Sequence, residues 1–230
     1  MLVYVPPHPL IKHWLAVARN AASPPPLFRG ALAELGRVLL YELSRDGGFL
    51  PTLTGAVDTA GGDESDVEFI DPTKPVVLVP VVRAGLPLLE HSASVLPASS
   101  THHVAFSRRS GVGGGGNAEA SSTSPDDLDM IIDTLPASLG EDDRVVIADA
   151  CLASGATIMR AVREVVARGA SPWNVRVLCA LAAPPALKQL ADNYPGLCVY
   201  AACIDAEVDS GTGLLRPGFG DASVRAFGGR

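Results

Sequence analysis

The sequence predicts an α/β fold in which a parallel sheet is flanked by helices. Three observations lead there. Four short apolar runs, at 76–82 (VVLVPVV), Val145–Ala148 (VVIA), 175–181 (VRVLCAL) and 199–204 (VYAACI), have the near-continuous hydrophobicity of strands buried on both faces. Around them, apolar residues return at helical spacing. And one run, Val145–Ala148, passes through a loop of small residues straight into such a helix.

Length and composition fit a single domain over 1–230. At 230 residues the chain can bury a sizeable core. Its 47% hydrophobic and 19% charged residues mark it as globular. A net charge of -7 and a pI near 5.2 argue against nucleic acid and against an anionic membrane as partners. Mean hydropathy is +0.25. Yet no uninterrupted apolar run reaches the ~18 residues of a membrane span. The apolarity is therefore assigned to a core and to a subunit interface. Cys151, Cys179, Cys198 and Cys203 form no C-x-x-C and are read as free thiols. The histidines form no H-E-x-x-H, so no protein-ligated metal is expected.

Each element follows from local pattern. Residues 1–19 begin extended and turn helical after Pro9, with Ile11, Trp14, Leu15 and Ala18 on one face. The segment has no presequence character. Ser23-Pro24-Pro25-Pro26 reads as a rigid turn, and 28–45 as an amphipathic helix with Leu32, Leu35, Val38, Leu39 and Leu43 inward. Gly, Thr and acids at 47–66 predict an irregular surface segment. The run at 76–82 ends in Arg83-Ala84-Gly85, and 86–95 is expected to be helical. A further strand is expected at 101–107, followed by Arg108 and Arg109. Residues 111–125 (GVGGGGNAEASSTSP) form a low-complexity Gly/Ser-rich insertion, expected to be disordered without ligand. Residues 126–135 then resume a pattern ending in Leu135-Pro136, and 185–193 (PALKQLADN) read as a short helix. By composition the tail at 213–228 has too many glycines for an ordered core element and reads as a loose end.

The stretch 145–168 (VVIADACLASGATIMRAVREVVAR) carries the chemistry. Its strand ends in Asp149. A loop of small residues, Ala153-Ser154-Gly155-Ala156-Thr157, follows. The helix behind it puts Ile158, Met159, Val162, Val165 and Val166 inward, and Gly169 is its stop. Such a loop lets backbone N–H groups approach a phosphate, and the helix adds unpaired N–H groups and the positive end of its dipole. Ser154 and Thr157 add hydroxyls. Asp149 would repel a phosphate but can accept hydrogen bonds from sugar hydroxyls beside it. The stretch reads as a site for a phosphorylated sugar, or else as a plain strand–loop–helix crossover. Cys151, inside it, is a thiol that could sense oxidation or a small buried hydrophobe. Arg83 closes a parallel strand, at the edge where such sheets take ligands.

Asp149 to Thr157, DACLASGAT, resembles the phosphoribosyl-pyrophosphate (PRPP) motif of type I phosphoribosyltransferases, in its D-P-x-L-A-T-G-G-[ST] form. Three further motifs resemble uracil phosphoribosyltransferases in the same order. They are the H-P-L-I-K-H opening, the P-V-V-R-A-G-L turn, and P-G-F-G-D-A followed by R-A-F-G in the tail. The opening is most similar to plant plastid members.

The resemblance implies a type I phosphoribosyltransferase fold with a small C-terminal hood. It implies conversion of uracil and PRPP to UMP and pyrophosphate, a step of pyrimidine salvage. It assigns Arg83 and Arg108 to pyrophosphate, and Asp149, Ala150, Cys151, Leu152, Ala153, Ser154, Gly155, Ala156 and Thr157 to PRPP. Leu215, Gly220, Asp221 and Ala222 are assigned to uracil, Asp221 also to the pyrophosphate and its metal. Asp149, Arg83 and Asp221 are the candidate catalytic residues. The peptide entering Arg83 is expected to be cis, and the insertion at 111–125 stands where the family has its flexible arm. Mg²⁺ would arrive with PRPP, and GTP is a candidate allosteric activator. A homodimer or larger oligomer is expected, in the chloroplast or alternatively the cytoplasm. The alternative function is a scaffold or regulatory subunit of a larger assembly. It draws on departures from the family pattern: Ala150, Ser154 and Ala156 in the PRPP motif, Ile131-Ile132 for an aromatic pair, and Leu214 for a tyrosine.

Overall fold

The structure is a computed structural model and describes residues 1–45, 47–108 and 124–228, with Arg108 described in its backbone alone. The chain begins with β1 (Leu2–Tyr4), α1 (Pro9–Arg19) and α2 (Pro25–Ser44), followed by β2 (Thr52–Asp58) and β3 (Glu64–Ile70). Next come β4 (Val76–Pro80), α3 (Ser92–Val95), β5 (Ser99–Thr101), β6 (Val104–Arg108) and β7 (Leu128–Asp133). The central part is β8 (Val145–Ala148), β9 (Cys151–Leu152), α4 (Ala156–Ala167), β10 (Val175–Ala182), α5 (Pro184–Asn193) and β11 (Cys198–Ile204). The tail forms β12 (Glu207–Val208), β13 (Leu215–Arg216) and α6 (Ala222–Phe227).

A seven-stranded sheet runs in the order β1-β11-β10-β8-β4-β5, with β9 added on β10, and its ladders are parallel throughout. Side chains of β8 alternate between the two faces. Val146 and Ala148 enter a core with α2 and Leu88, and Val145 and Ile147 enter one with α4 and Leu190. This is the two-sided burial that unbroken apolar runs predict.

Five expectations are corrected, the last of them in the tail. The helix expected at 28–45 starts earlier, at Pro25. Pro25 and Pro26 fill the first turn, where a missing N–H costs nothing. The segment read as irregular contains an antiparallel hairpin, β2 with β3, in register from Thr52↔Ile70 to Asp58↔Glu64. Its strands are almost wholly exposed, so no apolar face marked them. The helix expected at 86–95 is broken into a 3₁₀ turn at Pro87–Leu89 and the short α3. The strand expected at 101–107 is two strands: β5 closes the sheet beside β4, whereas β6 leaves it to pair antiparallel with β7.

The tail is not a loose end. β13 pairs antiparallel with β12, and Leu215, Phe219, Ala222 and Ala226 pack in the core that holds α2. Together with α6 they form the hood. The Gly/Ser-rich insertion lies outside the described residues except for Ser124 and Pro125.

Gly36 in α2 packs so closely that a Cβ there would strike the Leu88 backbone, whereas Gly30 in the same helix faces open space. Alanine favours a helix over glycine by about 1 kcal/mol. Gly30→Ala should therefore keep or raise the melting temperature. Gly36→Ala should destabilise by roughly 1–3 kcal/mol through overpacking. Equal shifts in thermal melts of the two variants would contradict this packing.

Candidate active site

The site is built at the edge where the parallel strands end. Beyond β8, Asp149 donates its N–H to the Leu178 carbonyl (3.1 Å), which keeps it tied to β10. Its side chain is only 8% exposed. Burial pushes the Asp149 carboxyl up to about 7, against the backbone N–H groups of Ala150 and Cys151, which hydrogen-bond the charged form. Among the described residues no cation enters that balance. A carboxylate held this way can accept hydrogen bonds from outside the protein.

Ala150 and Leu152 are buried behind the site. Cys151 and Leu152 form β9, and the chain then turns through Ala153, Ser154 and Gly155 into α4. Gly155 takes φ +92°, and a Cβ there would stand 2.9 Å from the Ala186 backbone. This is the position of the loop that requires glycine. Ala156 is already the first helical residue, and its N–H donates to Ser154 Oγ (3.4 Å). Thr157 follows it in the first turn. Burial, then Asp149 beside it, pushes the Cys151 thiol well above its usual range, which makes it a poor thiolate. Cys151 is nevertheless only half-buried, unlike the buried Cys179 and Cys198.

One cleft of about 170 Å³ joins the segments read as functional. Ala84, Asp149, Cys151 and Ala153 line it from the sheet edge, and Leu214, Leu215, Gly220, Asp221 and Ala222 from the hood. Asp221 also caps α6, its Oδ1 accepting from the Val224 N–H (3.0 Å). Arg83 stands next to Ala84 in an exposed turn entered by a cis Val82–Arg83 peptide, its guanidinium 6.0 Å from the Phe227 ring of α6. The backbone of Arg108 pairs with Leu128 at the end of β6, and its side chain lies outside the described residues. Ser154, Gly155, Ala156 and Thr157 form the adjoining turn and do not line this cleft. A larger cleft of about 540 Å³ is lined by Thr54, Gly55, Asp66, Val67 and Glu68 of the exposed hairpin and holds no buried polar group.

The roles of three residues went unread in the sequence, although Arg225 belongs to the R-A-F-G motif. Asp205 ends β11 much as Asp149 ends β8, and is 2% exposed. It is paired with Arg19 at the end of α1 (2.5 Å), and Arg225 of α6 stacks on Phe28, 4.2 Å from its centroid. An acid closing a buried apolar run was a usable signal for Asp205. Arg19 gave none, and the motif named Arg225 without its role, because the partners of both are remote in sequence.

A sequence model described as uracil phosphoribosyltransferase matches residues 5–229. The chain belongs to that family. It is 46% identical over 228 residues to a uracil phosphoribosyltransferase of Nicotiana tabacum, covering 99% of this chain and 94% of the relative. It is equally 46% identical to the chloroplastic uracil phosphoribosyltransferase of Arabidopsis thaliana, covering 99% of this chain and 71% of that one. Among solved structures, the AQ2163 protein of Aquifex aeolicus superposes with a TM-score of 0.82 at 26% identity, over 99% of this chain and 98% of that one. An adenine phosphoribosyl transferase of Trypanosoma brucei, at 15% identity and TM-score 0.51 over 90% and 87% of the two chains, shares the fold. The type I phosphoribosyltransferase fold expected from the motifs is the fold observed.

The raised pKa of Asp149 has a consequence for stability. Between its ordinary value of 3.8 and about 7, the folded chain holds a proton that the unfolded chain has lost. Stability contributed by this group therefore falls as pH rises through that window. Asp149→Asn, which keeps the shape without the charge, should be more stable than the parent at pH 8 and closer to it at pH 5. The two differences should be separated by about 2–3 kcal/mol. Urea unfolding at both pH values checks this, and a pH-independent difference would mean the carboxyl is not buried uncharged.

Proposed function

We propose that the chain transfers the phosphoribosyl group of PRPP to uracil, giving UMP and pyrophosphate. The observation that carries this reading is the single cleft shared by Asp149 at the sheet edge and the Gly220-Asp221-Ala222 turn of the hood. It suits two reactants that must meet, a sugar phosphate on one wall and a flat base on the other.

Asp149, once ionised, accepts hydrogen bonds from the ribose hydroxyls. The turn Ser154–Thr157 and the start of α4 take the 5′-phosphate. Gly220 and Ala222 read the polar edge of uracil through main-chain groups, and Leu215 supports the ring. The N1–C1′ bond forms as the C1′–O bond to pyrophosphate breaks. The electron pair leaves with pyrophosphate, and the N1 proton passes to water. The chain forms no covalent intermediate. It positions the reactants and stabilises departing charge with Arg83 and Arg108.

Mg²⁺ fits this cleft, because Asp149 and Asp221 offer hard carboxylate oxygens along its walls. Carried by PRPP, it would spread the charge of the leaving group, with Asp221 as the acid near the pyrophosphate. The family likeness also supports GTP as an activator and a homodimer or larger assembly. The likeness to a chloroplastic relative supports work in the plastid rather than the cytoplasm. The second reading, a catalytically silent scaffold, rests on Leu214, Ile131 and Ile132. All three are exposed, and Leu214 lines the cleft.

Purified protein should form UMP from uracil, PRPP and Mg²⁺. The scaffold reading prevails if it neither forms UMP nor binds PRPP at saturating concentrations. Arg83→Ala should lower kcat/KM by roughly 10²–10³, the scale of one charge-stabilising donor, with little change in melting temperature. Full turnover in that variant removes Arg83 from the site. Leu214→Tyr should raise kcat/KM for uracil. Unchanged kinetics would show that this wall does not limit closure.

A further inference from the structure

The hood turn that faces the cleft is held from behind by charges that do not line it. Asp205 follows β11, and its N–H is fixed to the Ala182 carbonyl of β10 (2.8 Å). Its Oδ1 accepts from Arg19 Nη2 (2.5 Å), and its Oδ2 from Arg19 Nη1 (3.1 Å) and the Gly218 N–H (2.9 Å). Arg19 Nη1 also donates to the Gly218 carbonyl (2.8 Å). Both polar atoms of Gly218 are thus caught by one ion pair. The next residue, Phe219, packs edge-on against Phe28 with ring centroids 5.3 Å apart. Its carbonyl accepts from Arg225 Nη1 (2.9 Å). Arg225 in turn reaches the carbonyls of Ala18 (2.5 Å) and Asn20 (2.7 Å), which flank Arg19 at the end of α1. A cation at a helix C-terminus is favourable there. So α1 and the tail exchange arginines, and the exchange fixes the two residues just before Gly220.

We infer that Arg19 and Asp205 are positioning residues for the nucleobase. They hold the Gly218 peptide at both ends, and so set the direction in which the main chain of Gly220 and Ala222 meets the base. A fork of two parallel hydrogen bonds on a buried carboxylate fixes direction as well as distance. Among the described residues no hydrogen bond of this pair reaches Asp149 or the turn before α4. Through Gly220 and Ala222 their influence falls first on the base, and only a smaller part of it passes to PRPP through Asp221 in the same turn. The inference rests on the base being read at Gly220–Ala222, as proposed above.

Steady-state kinetics of Arg19→Lys and Asp205→Asn, with each substrate varied in turn, test it. Lysine keeps the charge beside Asp205 but has no planar fork to reach the Gly218 carbonyl as well. Asparagine keeps the shape and an acceptor but not the charge. In both variants KM for uracil should rise about tenfold or more, with KM for PRPP within about twofold of the parent. Arg19→Lys should also keep a melting temperature near that of the parent, so that its kinetic change is not a loss of fold. Uracil KM unmoved in both variants, or both KM values rising in step, overturns the inference while leaving the proposed reaction intact. A parent protein that forms no UMP overturns the reaction itself, and the inference with it.

Discussion

Parallel pairing is the constraint on which the site depends. β4, β8, β10 and β11 run in one direction, so whatever follows them emerges at one edge of the sheet. Two of these strands end in a buried acid, and the acids differ in what meets them. Asp205 receives a guanidinium fork and a backbone N–H. Asp149 receives backbone N–H groups alone, and burial leaves its carboxyl near 7. An ionised carboxylate buried without a cation is costly. The cost is offset when hydroxyl donors arrive through the cleft that Asp149 lines. One acid thus fastens the hood to the sheet, and the other lines the cleft with no cation beside it among the described residues.

Much of this was legible in the sequence, for physical reasons that can be named. β8, β10 and β11 announce themselves because strands buried on both faces must be apolar at every position. α2 and α4 do so because a helix with one buried face repeats its apolar residues. The hairpin β2–β3 sends no such signal, since neither of its faces meets a core. The tail misled by composition. Its glycines read as looseness, yet Leu215, Phe219 and Ala226 between them reach the core of α2. Order there also comes from the Arg19–Asp205 ion pair and from the hydrogen bonds of Arg225 to the Ala18 and Asn20 carbonyls, long-range contacts that local pattern does not encode. The motif resemblance supplied what composition missed: it singled out Gly220, Asp221 and Ala222, which line one cleft with Asp149.

Apart from Ala150, which is fully buried in the core, the departures from the family pattern fall where the fold is indifferent to them. In Ser154-Gly155-Ala156 the left-handed φ belongs to Gly155, and Ala156 already lies in the helix. The replaced glycine is therefore the one whose backbone asks nothing of it, and alanine is the better helix former. Ser154 keeps a hydroxyl in reach of the first helical N–H. Leu214, Ile131 and Ile132 are 39%, 64% and 39% exposed. None of the three belongs to either core cluster. Substitution there alters what can cover a bound substrate, but not how the sheet edge is built. The residues that build the edge are anchored differently. Asp149 is tied to β10, and Gly218 to Asp205, by hydrogen bonds that a change of side chain at the rim does not reach. Departures at the rim and an intact edge are thus compatible in one chain, because different forces hold the two.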